Sequence, residues 1–112
     1  MIKLKKTEML KKNYEFKKVL TCGKYYSGRQ VEAFVIKNNL QVNMLGIAVS
    51  KKIGKSVSRN RIKRLIRESY RLLENNFKTG NSIVILWKKS IDTKKANINV
   101  ISEDIKSIFE KL

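Results

Sequence analysis

Residues 56–71 read SVSRNRIKRLIRESYR, and six of them are basic: Arg59, Arg61, Lys63, Arg64, Arg67 and Arg71. Only Glu68 opposes them. The apolar residues still recur at helical spacing. Counting about 100° per residue from Arg59, a sector near about 300° collects Ile62, Leu65, Ile66, Ser69 and Leu73, with Tyr70 at its edge. That sector is a core stripe. Arg59, Asn60, Lys63, Arg64, Arg67 and Arg71 occupy roughly 0–140°, and Arg61 stands apart near about 200°. The like-charged pairs 59/63, 63/67 and 67/71 each cost roughly 0.2–0.5 kcal/mol in an isolated helix. Such a row, advancing about 6 Å per turn, matches phosphates along a nucleic-acid strand. Arginine's planar fork grips phosphate oxygens in pairs. The chemistry implied is polyanion binding. A solvated charged face is the competing reading, but such a face interleaves acids, as residues 102–112 do with Glu103, Asp104 and Glu110.

The whole chain agrees. Its 112 residues carry 26 basic and 9 acidic side chains, a net charge of +17 and a pI near 10.2, which makes polyanions the leading partners. No acid lies between Glu32 and Glu68, a stretch with nine Lys or Arg. An anionic partner would relieve the repulsion there. Catalytic chemistry finds little support: there is no His, Cys22 is the single thiol, and the carboxylates are scattered. The adjacent pair Glu103-Asp104 is expected on the outer face of the last helix. No phosphate-binding or dinucleotide glycine pattern occurs. No catalytic residue is expected, and no metal ligand is firmly predicted. Apolar runs such as IVILW (83–87) fall far short of the roughly 18 residues of a membrane span. MIKLKK is followed by no apolar signal region, and one Cys fits a reducing compartment, so a cytoplasmic location is expected.

The elements that must position the basic stripe follow from periodicity. Residues 1–12 form a basic, partly extended arm on a single domain, 1–112. Asn13 can cap a helix over 13–22, with Phe16, Val19 and Leu20 on one side and Gly23 at its stop. KYYSG (24–28) is a turn or a short edge strand. Residues 29–37 alternate as a strand, with Val31, Ala33 and Val35 on one face and Glu32, Phe34 and Ile36 on the other. Residues 44–50 read as a buried strand, and 51–56 as a basic loop containing Gly54. The basic helix, capped by Ser56 or Ser58, runs to about Asn75. A strand at 82–87 and a helix at about 98–112 complete the chain. The expected fold class is α+β: a single mixed sheet of three to four strands packed with three helices, in the order α-β-β-β-α-β-α.

At KKIGKSVSRNRIKRLIRES (51–69) the sequence closely resembles the signature of the bacterial ribonuclease P protein family, whose R-N-R core is Arg59-Asn60-Arg61 here. KKNYEFKKVLTCGK (11–24), GRQVEAFVIK (28–37) and MLGIAVSKK (44–52) resemble the elements that precede it, so the likeness covers nearly the whole chain. The resemblance implies a protein that binds a large catalytic RNA. Together they act as an endoribonuclease that removes the 5′ leader of precursor tRNA. The chemistry and its Mg2+ belong to the RNA. It also implies a left-handed strand–helix–strand crossover, where the ordinary expectation is right-handed. The family's RNA-binding loop and helix carry over to Lys51, Lys52, Arg59, Asn60, Arg61, Lys63, Arg64 and Arg67. Its leader-binding cleft carries over to Phe16 and Phe34, with Lys12 and Arg29. A family aromatic one turn after Phe16 is Leu20 here. Stacking contributes about 1–3 kcal/mol per base and tolerates any sequence. From the residues alone, Phe16 also reads as core with Val19 and Leu20, and Phe34 as simple packing. A ribosomal or other structural RNA-binding protein is the alternative function. A DNA-binding protein with 57–75 in a major groove is a third reading, although neither DNA nor membrane is the expected partner.

Overall fold

The structure, a computed structural model, describes residues 6–112. Its elements are β1 (Thr7–Met9), α1 (Asn13–Cys22), β2 (Lys24–Ser27), β3 (Val31–Lys37), β4 (Asn43–Ala48), α2 (Ser56–Leu73), β5 (Asn81–Trp87) and α3 (Ile98–Glu110). Short 3-10 turns occupy Glu74–Asn76 and Thr93–Lys95. The strands form one sheet in the order β1-β4-β5-β3-β2. Strands β1, β4 and β5 run parallel, while β3 and β2 are antiparallel additions. The mixed sheet with three helices stands as expected. The strand count is five instead of three to four, and the order becomes β-α-β-β-β-α-β-α.

The additional strand comes from the N-terminal arm, whose residues 1–5 lie outside the described residues. Thr7–Met9 is too short to show alternation, so tertiary partners must hold it. The Asn43 N–H donates to the Lys6 carbonyl at 2.9 Å, and the Leu10 N–H to the Leu45 carbonyl at 2.8 Å. The Lys6 N–H donates to Glu74 Oε2 at 3.0 Å. Below the strand, the Thr7 and Tyr70 hydroxyls lie 2.7 Å apart, and Asn43 Nδ2 donates to Tyr70 Oη at 3.5 Å.

Burial pushes the Tyr70 phenol above its ordinary value of 10.0, and the bonds from Thr7 and Asn43 only partly oppose that. A raised folded-state value means that the unfolded phenol ionises first. The stabilisation is therefore complete below about pH 10 and declines as pH rises beyond it. Tyr70→Phe is expected to cost about 1–2 kcal/mol at neutral pH. Its stability should also fall less steeply above pH 10 than the wild type's, as chemical denaturation across the alkaline range would measure.

The two faces of the sheet are covered unequally. Val31, Ala33, Val35, Leu45, Ile83, Ile85 and Trp87 meet Ile62, Ile66 and Tyr70 of α2 and Ile101, Ile105, Ile108 and Phe109 of α3. This is the main core. On the other face Val84 packs with Leu10 and Val19, while Phe16, Phe34, Ile36, Met44 and Leu86 stay half-buried. A helix of ten residues crosses that face, and beside it lies a cavity of about 370 Å³ whose lining includes Leu10, Tyr14, Val19, Ile36 and Met44.

Helix starts depart from expectation. Asn13 is the first helical residue, and the capping contact comes from Glu15, whose Oε1 accepts from the Lys12 N–H at 3.0 Å. Neither Ser56 nor Ser58 caps α2: the residue before the helix is Lys55, which makes no side-chain cap. The helix ends at Leu73, two residues early, and tightens into the 3-10 turn. Asp104 is not on the outer face of α3. It is only 5% exposed and anchors the turn before β3.

Candidate nucleic-acid interface

Helix α2 presents its faces as its angular pattern requires. Ile62, Ile66, Ser69 and Tyr70 are buried, and Leu65 and Leu73 are half-buried. Asn60, Arg61, Arg64 and Arg67 are exposed, with Arg59 and Lys63 half-exposed. Among the described residues the ion pairs are Arg29–Glu103 at 2.5 Å and Arg71–Glu68 at 2.7 Å. Among the described residues Lys63, Arg64 and Arg67 therefore have no acidic partner. Arg71 leaves the stripe: Glu68, one turn back, holds its guanidinium and raises its pKa. The unpaired row is shorter than the angular pattern suggests and carries no internal neutralisation.

Arg59 has a second task. Its Nη1 donates to the Gly54 carbonyl at 2.8 Å, the Ile53 carbonyl at 3.3 Å and the Lys51 carbonyl at 3.4 Å. One guanidinium thus folds the loop that displays Lys51 and Lys52, both exposed. Gly54 sits at φ 55°, in the left-handed region that a side chain would disfavour, so its role is backbone geometry. Facing this loop across a groove of about 790 Å³ is the segment after β5. Lys52, Lys55, Ser58, Lys89, Asp92 and Lys94 are among its lining residues. Lys55, Lys89 and Lys94 were not singled out from the sequence. The paired lysines at 88–89 and 94–95 were the available signal.

The cleft under α1 brings together Phe16 and Phe34 but not Arg29. Phe16 lies directly on β4, because a Cβ added to Gly46 would meet its Cε1 at 2.4 Å. Phe34 sits in the row Tyr25–Phe34–Val84–Gly46, in register across β2, β3, β5 and β4. Both rings pack against the small second core and remain half-exposed, so packing and an open edge coexist. Leu20 is 38% exposed on α1. Tyr25 adds a ring, 5.2 Å from Phe34 and tilted by 52°. Its place depends on the pairing of β2 with β3, which the tyrosine pair alone does not reveal.

The two basic residues assigned to the cleft are placed differently. Lys12 stands at the start of α1, with its ammonium 5.7 Å from the Tyr14 ring. Arg29 turns toward α3, on the opposite face of the sheet, to pair with Glu103. Asp104 fixes that turn, accepting from the N–H groups of Arg29 at 2.9 Å, Gln30 at 2.8 Å and Val31 at 3.2 Å. Among the described residues no group of three or more His, Cys, Asp or Glu is placed to hold a metal ion. No described helix is long and apolar enough to cross a membrane.

A protein-family model described as Ribonuclease P matches residues 4–112. The chain is 42% identical over 106 residues to the Ribonuclease P protein component of Caldanaerobacter subterraneus subsp. tengcongensis, covering 95% of this chain and 90% of that one. It is 44% identical over 105 residues to the component from Clostridium botulinum strain Langeland, covering 88% and 95%. Among solved structures, the RNase P protein of Thermotoga maritima superposes with a TM-score of 0.83 at 24% identity, covering 94% of this chain and 97% of the other, a likeness of fold. The Staphylococcus aureus RNase P protein gives a TM-score of 0.75 at 28% identity, covering 92% and 93%. Matched by the family model along residues 4–112 and by these relatives over most of its length, the chain belongs to the ribonuclease P protein family.

Proposed function

We propose that the protein grips the catalytic RNA of ribonuclease P with the loop at 51–55 and the row Lys63, Arg64 and Arg67 on α2. The single-stranded 5′ leader of precursor tRNA lies in the cleft between α1 and the sheet, against Phe16 and Phe34. The protein's part in the endoribonuclease is binding and positioning. The catalytic RNA supplies the reaction together with Mg2+, in the cytoplasm. One observation carries this reading: three neighbouring cations on α2 have no acidic partner among the described residues, in a chain of net charge +17. Counterions released from RNA give such a row its binding energy. Half-exposed rings suit a leader of variable sequence, because every base has a stacking face.

Reconstitution with bacterial ribonuclease P RNA at low magnesium tests the assignment. Expected is 5′ cleavage of precursor tRNA by the complex and none by the protein alone. Unchanged RNA-only activity after adding folded protein would refute it. A structural RNA-binding protein would give that second outcome.

A further inference from the structure

The face of the sheet that carries Phe34 also carries a carboxylate, Glu32. Glu32 lies two residues before Phe34 on β3, so both side chains project from the same face. It stands opposite Leu86 of β5 and Ser27 of β2. The Tyr25 hydroxyl donates to Glu32 Oε2 at 2.6 Å, and the Tyr25 ring meets Phe34. Tyr25 is 49% exposed, and Glu32 and Phe34 are half-exposed. Although the chain holds 26 basic residues, none forms an ion pair with Glu32 among the described residues. An acid held beside stacking rings, with no cation against it, is suited to ligands that offer N–H donors.

A carboxylate has about four acceptor positions, and the Tyr25 hydroxyl occupies one. The remaining positions distinguish the bases. Guanine presents two adjacent donors, N1–H and the N2 amino group, which match two carboxylate oxygens. Adenine and cytosine present one amino group beside an acceptor nitrogen. Uracil presents one N–H between two carbonyl oxygens that a carboxylate repels. We propose that Glu32, oriented by Tyr25, accepts the N1–H and N2 amino hydrogens of a guanine stacked against Tyr25 and Phe34. The cleft thereby prefers a guanosine at one place along a single-stranded leader. This inference rests on the leader-binding reading above and names its base specificity. Tyr25 also supplies a second ring in a cleft where residue 20 is Leu. Its hydroxyl is the donor in that bond, and the bond to Glu32 in turn raises the phenol's pKa above its ordinary value.

The test uses the complex with bacterial ribonuclease P RNA. Precursor tRNAs carry uridine leaders with a single guanosine, or inosine in its place, moved through each position. Expected is one position where guanosine improves affinity about tenfold or more over uridine. Inosine, lacking the N2 amino group, should recover only part of that gain. Glu32→Gln should abolish the preference and Tyr25→Phe should weaken it. The readout is the ratio of guanosine to uridine affinity within each variant, which a change common to all leaders does not move. Absence of a preferred position, or a uniform gain for every leader in Glu32→Gln with the preference intact, overturns the proposal and leaves leader binding standing. If mature tRNA lacking a leader binds as tightly as every precursor, the leader reading itself fails, and the proposal with it.

Discussion

Replacing Lys63, Arg64 and Arg67 together by Ala is expected to weaken binding of ribonuclease P RNA about 100- to 500-fold near 0.1 M salt. Each phosphate contact contributes a slope of roughly 0.7–0.9 in log K against log salt, or about five- to eightfold between 1 M and 0.1 M. Three contacts multiply to the stated range, and the slope should shrink by about 2–3. The side chains have no acidic partner to lose, so the folded protein should not suffer. Removing the like-charged pair at 63 and 67 should leave the melting temperature equal or slightly higher. Binding titrations across a salt series, together with a thermal melt, measure both effects. Arg71→Ala should behave differently. It removes a cation that Glu68 already neutralises, so the salt slope should change little.

The second large effect concerns stability. Asp104→Ala is expected to destabilise the protein by about 3 kcal/mol, because three backbone N–H groups lose a charged acceptor. That should lower the melting temperature by roughly 10–20 °C, as calorimetry would show. Asp104→Asn, which keeps one acceptor oxygen, should recover part of the loss. RNA affinity at a temperature where the variant remains folded should keep the wild-type salt slope, since the stripe on α2 is untouched. The two variants thus separate binding from folding: one loses RNA and keeps its stability, the other does the reverse.

What could be read from the sequence was local. The basic stripe needs only the helical period and the charge of each residue, so Ile62, Ile66 and Arg67 fall where the angular count puts them. Phe34 and Val35 take opposite faces because strand parity demands it. The pairing of Arg71 with Glu68 was equally local at i, i+3, and the stripe should have been shortened accordingly. What escaped was long-range. Strand β1 is held by Glu74, Tyr70 and Asn43, all distant in sequence. Asp104 is buried because a turn 75 residues earlier offers it N–H groups, and its neighbour Glu103 stays outside to hold Arg29. No pattern around EDIK announces such a partner. Helix starts failed for another reason. Ser56 and Ser58 are good capping types, yet the loop folded by Arg59 delivers the chain into the helix through Lys55.

Chemical modification of lysine amines, with and without ribonuclease P RNA, probes most directly whether nucleic acid covers the cations that this fold leaves bare. Protection is predicted at Lys51, Lys52 and Lys63, while Lys106 on α3 and Lys111 just beyond it stay as reactive as in the free protein. Equal reactivity of Lys63 in both states, or protection spread evenly over α3 as well, would contradict the account.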